Sequence, residues 1–277
     1  MDPRSGKRIR MGRLLRPDTG HGVIVAASHA VLERPPRALR TTREAEETFR
    51  KLRRADGILI APGSLRTAED VFIGRDSPGL LVQMDWTNWG RPIYPPMQDG
   101  RSEAVSASIA TMEEVSAAGG VGVMSYLFFG QLDSRLERED IQRNAKLSRE
   151  CERLGMVLVI EPRSAREGLE ESATGADVLS FCCRVASELG ADIVKSVWPG
   201  SVDAFAQVTS SCPSPVVLAG GPGGEDDVST YELAKAAMDA GAAGLMFGRR
   251  IYNSTDPEQV LEKLAEIVHG DPSSGGL

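Results

Sequence analysis

Short apolar runs alternate with helix-length segments eight times along this chain, and few folds accept that rhythm. The runs are Gly22–Ala27, Gly57–Ala61, Gly79–Asp85, Gly120–Phe128, Met156–Glu161, Asp192–Val197, Pro215–Ala219 and Ala243–Phe247. They are rich in Val, Ile, Leu and Ala on both phases of the two-residue repeat, as parallel strands covered on both faces require. Between them the pattern predicts helices over Thr42–Arg54, opened by a Thr41/Thr42 cap, and over Ser102–Ala118, Arg135–Leu154, Ala176–Leu189, Val202–Thr209, Asp227–Ala240 and Pro257–Val268. Eight such units fit an α/β fold of the (β/α)8 TIM-barrel type as a single domain over residues 21–269. A basic, irregular N-terminal extension (1–20) would precede it, and a disordered tail (270–277) would follow. A doubly wound open sheet competes, but it would show Gly-x-Gly-x-x-Gly after the first strand, where this chain has Ala27-Ser28-His29-Ala30.

Charge and composition narrow the function classes. With 39 acidic against 32 basic residues the net charge is −7, and no basic run interleaves with aromatics, which argues against a nucleic-acid partner. An anionic ligand would be held by backbone amides or single arginines. No stretch approaches the ~20 apolar residues of a membrane span. Met1–Arg8 lacks the apolar run of a signal peptide, so the expected location is the cytoplasm, with no membrane contact. The four cysteines (151, 182, 183, 212) and three histidines (21, 29, 269) have no metal-site spacing, and reduced thiols are expected.

Chemistry points first to Lys195. The chain holds six lysines, and Lys7, Lys51, Lys146, Lys235 and Lys263 lie in polar or amphipathic surroundings, whereas Lys195 interrupts the apolar run Asp192–Val197. Desolvating an ammonium there is costly, so the residue is either a buried ion-pair partner or an amine tuned for covalent chemistry. On the preceding strand Val157, Val159 and Glu161 share a face, which brings Glu161 to a height similar to Lys195, as a counter-ion or as a general acid/base. Asp85 ends the third run as a second lumen carboxylate or as the cap of the next loop. Ser28 and His29 follow the first run with no adjacent acid to orient them as a triad. The segment after Asp85 concentrates Trp86, Asn88, Trp89, Arg91 and Tyr94 in a chain only 5% aromatic, and Pro92, Pro95 and Pro96 forbid regular structure; a substrate rim or lid is expected. Glycine-rich turns close the last two strands at Gly220, Gly221 and Gly248, the last followed by Arg249. In barrels these turns commonly bind phosphate, because free amides can approach the anion.

Three segments carry a family resemblance: Gly190-Ala191-Asp192-Ile193-Val194-Lys195, Val217-Leu218-Ala219-Gly220-Gly221-Pro222, and the run from Ala240-Gly241-Ala242-Ala243-Gly244 through Phe247-Gly248-Arg249-Arg250 to Asp256-Pro257. They resemble the archaeal-type (DhnA-type) class I fructose-bisphosphate aldolases. That group includes the amino-dideoxy-heptulosonate synthases, the aldolases leading to 3-amino-4-hydroxybenzoate, and the phosphorylated-dione thiolases. The likeness spans roughly residues 8–268 and is most specific in the C-terminal half. It implies a homo-oligomeric barrel whose Lys195 forms a Schiff base with a phosphorylated ketone such as dihydroxyacetone phosphate and joins it to an aldehyde. No cofactor would be needed, and Gly220, Gly221, Gly248 and Arg249 would hold the phosphate. Two positions depart from the family pattern. Its Asp-His-Gly appears as Ser28-His29-Ala30, and its Tyr-Pro-Arg as Glu161-Pro162-Arg163. The expectation is that Glu161, assisted by Asp85 or His29, takes over proton transfer in a specialised biosynthetic aldolase. A non-catalytic phosphosugar binder and a non-covalent isomerase or cyclase using Lys195 and Glu161 are the alternatives. A pure binder would gain nothing from a buried amine.

Overall fold

The structure, a computed structural model, describes residues 2–32, 35–89, 103–167, 170–221 and 227–270. Eight parallel strands close into a barrel: β1 (Gly22–Ala26), β2 (Gly57–Ile60), β3 (Gly79–Gln83), β6 (Gly122–Phe129), β7 (Val157–Ser164), β8 (Ile193–Ser196), β9 (Val216–Ala219) and β10 (Gly244–Phe247). Parallel pairing of β1 with β10, Val23 opposite Leu245, completes the ring. Two short strands outside it, β4 (Asp85–Thr87) and β5 (Ser106–Ser108), form an antiparallel hairpin.

Alternation sorts each strand's side chains into two cores. Ile24, Leu59, Leu81, Met124, Val159, Ile193, Val217 and Met246 fill the lumen. Their neighbours Val23, Ile58, Leu80, Val123, Leu158, Val194, Val216 and Leu245 face the surrounding helices, which return Phe49, Cys182, Phe205 and Leu264 into the outer layer. This double covering produced the unbroken apolar runs. All four cysteines are free and buried.

Three expectations change. The start of the chain is not irregular throughout: Pro3–Met11 is a helix capped by Asp2, and Lys7 pairs with Asp192 at 3.0 Å and with Glu152. The following turn drives Leu14, fully buried, into the N-terminal mouth of the barrel as its floor. A Cβ on Gly22 would stand 1.9 Å from the Leu14 carbonyl oxygen, and one on Gly57 would stand 2.6 Å from a Leu14 methyl. Glycine opens these strands because the floor leaves no room for a side chain. The second change concerns Ser102–Ala118: its described part is not one helix but strand β5 followed by a helix over Met112–Ala117. The true start is marked by a capping box, Thr111 with Glu114, whereas the Ser106–Ser108 backbone pairs with β4. Third, the third barrel strand stops at Gln83, so Asp85, Trp86 and Thr87 belong to the hairpin and not to strand end and loop. Residues 90–102 and the expected tail beyond Gly270 lie outside the described residues. Among the described residues no helix is long and apolar enough to cross a membrane.

One partly buried carboxylate ties the final helix to the first strand. Asp56 accepts hydrogen bonds from the Val23 N–H (2.8 Å) and Arg16 Nε (2.7 Å), and it pairs with His269 Nε2 at 2.9 Å. Burial alone would raise its pKa, but His269, the Val23 amide and Arg16 hold it below the usual carboxylate value. A carboxyl with a lower pKa folded than unfolded stabilises the protein above the unfolded value, ~3.9, and that contribution is lost as pH falls through the folded value. Asp56→Asn is therefore expected to be less stable than wild type at pH 7, with the gap closing below about pH 4, in urea melts across the acid range.

Candidate active site

The C-terminal ends of the strands surround a pocket of about 670 Å³. Lys195 enters it from β8 because it lies two residues beyond the lumen residue Ile193, and it is 6% exposed. On β7 the same phase, Val157, Val159, Glu161 and Arg163, sends two charged side chains into the pocket from one strand. Glu161 Oε2 lies 2.7 Å from Lys195 Nζ, and Glu161 Oε1 accepts a hydrogen bond of 2.8 Å from Arg163 Nη1. Burial would raise the Glu161 carboxyl, yet the Lys195 and Arg163 cations hold it below its ordinary value, so it is a carboxylate at neutral pH. Arg163 reaches on to Glu167, donating from Nε at 2.7 Å, and its guanidinium lies 4.3 Å from the centre of the Trp89 ring. The lysine thus sits at one end of a chain of alternating charge roofed by an indole.

His29 lines the pocket and its Nδ1 is 2.8 Å from the Tyr252 hydroxyl. Burial, with the nearby Lys195 and Arg249 cations, pushes its pKa down to about 3, so the imidazole is neutral at physiological pH. It can exchange hydrogen bonds but carries no charge to a substrate.

Ser28 and Asp85 do not line this pocket. Ser28 Oγ donates to Gln83 Oε1 (3.2 Å), and Gln83 Nε2 donates to Asp85 Oδ1 (2.6 Å). Asp85 Oδ2 accepts from Ser125 Oγ (2.8 Å), the Tyr126 N–H (2.8 Å) and Arg143 Nη2 (3.0 Å). The reason is topological. β3 pairs with β6 only as far as Met124, after which the chain leaves into the hairpin, and the Tyr126 peptide loses its ladder partner on that side. Buried backbone groups require partners. Asp85 takes the Tyr126 N–H, while Arg143 Nη2 (2.7 Å) and Asn144 Nδ2 (2.9 Å) donate to its carbonyl.

Of the expected rim, Trp89 lines the pocket. Asn88 instead pins the hairpin, accepting from the Val105 N–H at 2.7 Å and donating to the Glu103 carbonyl at 2.9 Å; Trp86 is on β4, and Arg91 lies outside the described residues. Gly220, Gly221, Gly248 and Arg249 all line the opposite side. A Cβ on Gly248 would sit 2.3 Å from the Ala26 carbonyl oxygen and 2.7 Å from His29 Cε1, so only glycine lets this turn reach the pocket. The helical turn Arg249–Tyr252 follows directly, and the two arginines tie both turns together: Arg249 Nη2 donates to the Gly221 carbonyl at 3.3 Å and Arg250 Nε to that of Gly220.

The sequence reading missed Arg163, Tyr126, Trp198 and Arg250, which also line the pocket. Arg163 was legible in principle, two residues beyond Glu161 and on its phase. Tyr126 was legible likewise, two beyond the lumen residue Met124. The role of Arg143 was not, since it lies in a helix whose charges read as solvent-facing.

A family model described as DeoC/LacD family aldolase matches residues 23–254. The chain is 26% identical over 270 residues to an uncharacterized aldolase of Saccharolobus solfataricus, covering 98% of this chain and 97% of that one. It is 28% identical over 272 residues to the 2-amino-4,5-dihydroxy-6-oxo-7-(phosphonooxy)heptanoate synthase of Streptomyces griseus, covering 97% and 92%. Among solved structures, an archaeal fructose-1,6-bisphosphate aldolase, whose catalytic lysine is covalently bound to the carbinolamine intermediate of its substrate, superposes with a TM-score of 0.78. That match has 22% identity and covers 95% of this chain and all of the other.

Proposed function

The chain belongs to the DeoC/LacD aldolase family, and we propose that it is a class I enzyme whose Lys195 forms a Schiff base with a phosphorylated ketone, of the dihydroxyacetone phosphate type, and joins it to an aldehyde. The observation that carries this reading is the Lys195–Glu161 pair, 2.7 Å apart in a pocket whose other side is built from two glycine turns. A buried amine beside a carboxylate has what carbinolamine chemistry needs. Glu161 accepts a proton from the Lys195 ammonium, and the amine adds to the ketone carbon. Proton transfer from nitrogen to oxygen then yields the neutral carbinolamine. Glu161 returns its proton to the carbinolamine hydroxyl, which leaves as water, and the iminium then faces a carboxylate again. That carboxylate can remove the proton from the neighbouring carbon to give the enamine that attacks the aldehyde. The iminium is itself the electron sink, so this route needs no metal or cofactor.

The amides of Gly220, Gly221 and Gly248, with Arg249, would hold the phosphate, which fixes the ketone's direction across the pocket. The name of the Streptomyces relative's product sets a phosphonooxy group next to a ketone and an amino acid at the far end. That supports a phosphorylated donor and a biosynthetic, not a glycolytic, role for this chain. Neutral His29 would serve as a hydrogen-bonding wall, not as an acid. The test is inactivation: sodium borohydride together with dihydroxyacetone phosphate is expected to inactivate the protein progressively, and borohydride alone is not. Absence of inactivation with every phosphorylated ketone tried would contradict the reading.

A further inference from the structure

We propose that Tyr126 is the group that gives a proton to the aldehyde oxygen as the carbon–carbon bond forms, and takes it back during cleavage. This rests on the Schiff-base reading above. If phosphate sits at the turns after β9 and β10 and the imine is on β8, the reacting carbon presents its far side to β7, β6 and the hairpin. The aldehyde must arrive there. Facing that region are Trp89, Tyr126, Glu161, Arg163, Glu167 and Thr87. Arg163 does not give up protons at any working pH. Glu167 serves as the counter-ion of Arg163, and an aliphatic hydroxyl such as that of Thr87 is a far weaker acid than a phenol. Glu161 is committed to the nitrogen and to the adjacent carbon. The phenol of Tyr126 belongs to the residue directly opposite Glu161 in the β6–β7 register, on a strand one interstrand spacing of about 4.8 Å away, and it lines the same pocket.

Packing and hydrogen bonds give the phenol a fixed place. Its ring stacks on Phe128 (centroids 5.6 Å, planes 19° apart), Phe128 is fully buried against Trp89, and its peptide is gripped by Asp85, Arg143 and Asn144. Arg163, a permanent cation lining the same pocket, is available to the anion left after proton donation. Asp85 is then a positioning residue. The protons balance: the carbon next to the iminium gives its proton to Glu161 and the enamine attacks the aldehyde. The new alkoxide takes the Tyr126 proton, and Glu161 returns its own to the phenolate, restoring both groups.

The experiment uses the full chain with dihydroxyacetone phosphate and a panel of short aldehydes that includes glyceraldehyde 3-phosphate. Three quantities are read: borohydride trapping, exchange of the ketone's carbon-bound hydrogen with deuterated solvent, and turnover. Tyr126→Phe is expected to keep trapping and exchange within about threefold while losing ~10²–10⁴ of turnover, and Glu161→Gln to lose exchange. Placing 3-fluorotyrosine at position 126, which preserves the ring and its packing, is expected to move the alkaline limb of turnover to lower pH. Turnover of Tyr126→Phe within threefold of wild type overturns the proposal. Loss of its exchange or trapping does the same, and so does an unmoved pH limb in the fluorinated protein. Wild type that traps the ketone but condenses it with no aldehyde overturns both this proposal and the synthase reading, whereas failure of wild-type trapping removes the Schiff base itself.

Discussion

Glu161→Gln is expected to lower turnover by ~10²–10⁴-fold while dihydroxyacetone phosphate can still be trapped on Lys195. The substitution preserves size, and a glutamine oxygen can still accept from Arg163 Nη1, now 2.8 Å from Glu161 Oε1. What disappears is the carboxylate 2.7 Å from Lys195 Nζ that can shuttle protons. Imine formation can still proceed slowly with water as the proton carrier, so a long incubation followed by borohydride should fill the site. Each turnover, by contrast, needs the nitrogen and the adjacent carbon served in sequence. Steady-state kinetics beside an endpoint trapping assay separates the two, and a variant with wild-type turnover would show that Glu161 is only a counter-ion.

The largest effect on stability is expected from Arg143→Met. Arg143 is the cation for two buried carboxylates, Asp85 at 3.0 Å and Asp140, whose side chains are 1% and 4% exposed. Asp140 in turn accepts from the Phe128 N–H at 3.0 Å, and Arg143 also satisfies the Tyr126 carbonyl. Removing one partner of a buried pair leaves an uncompensated charge, at a cost of ~3–5 kcal/mol. At ~2–4 °C per kcal/mol for a chain of this size, the melting temperature should fall by roughly 6–20 °C. Adding Asp85→Asn to the variant should restore part of the loss, because the two sites share one network. A loss under ~1 kcal/mol in urea melts would mean that water or a shifted neighbour already replaces the guanidinium.

Glu161 could be placed from the chain alone, whereas the partners of Arg143 could not. The barrel was legible because burial on both strand faces writes continuous apolar runs, and the phase of Val157, Val159 and Glu161 against Ile193 and Lys195 was enough to set the carboxylate beside the amine. The fate of Asp85 was not legible. Its neighbour in sequence, Gln83, suggested a lumen-facing phase, but its partner Arg143 is 58 residues away in a helix of mostly exposed charges. The floor of the barrel was hidden for the same reason: Leu14 belongs to a segment with no periodic signal before it, and only the glycines opening several strands recorded its presence. The hairpin was missed because three residues of strand are too few to show alternation, while the Thr111–Glu114 capping box that marks the real helix start was present in the sequence.

The role of Lys195 as covalent anchor is tested most directly by incubating the protein with dihydroxyacetone phosphate, reducing with borohydride, and mapping the modified peptide by mass spectrometry. One reduced adduct per chain is expected, on the Lys195 side chain, and none in Lys195→Met. An adduct on another lysine, or none with any phosphorylated ketone, would contradict it.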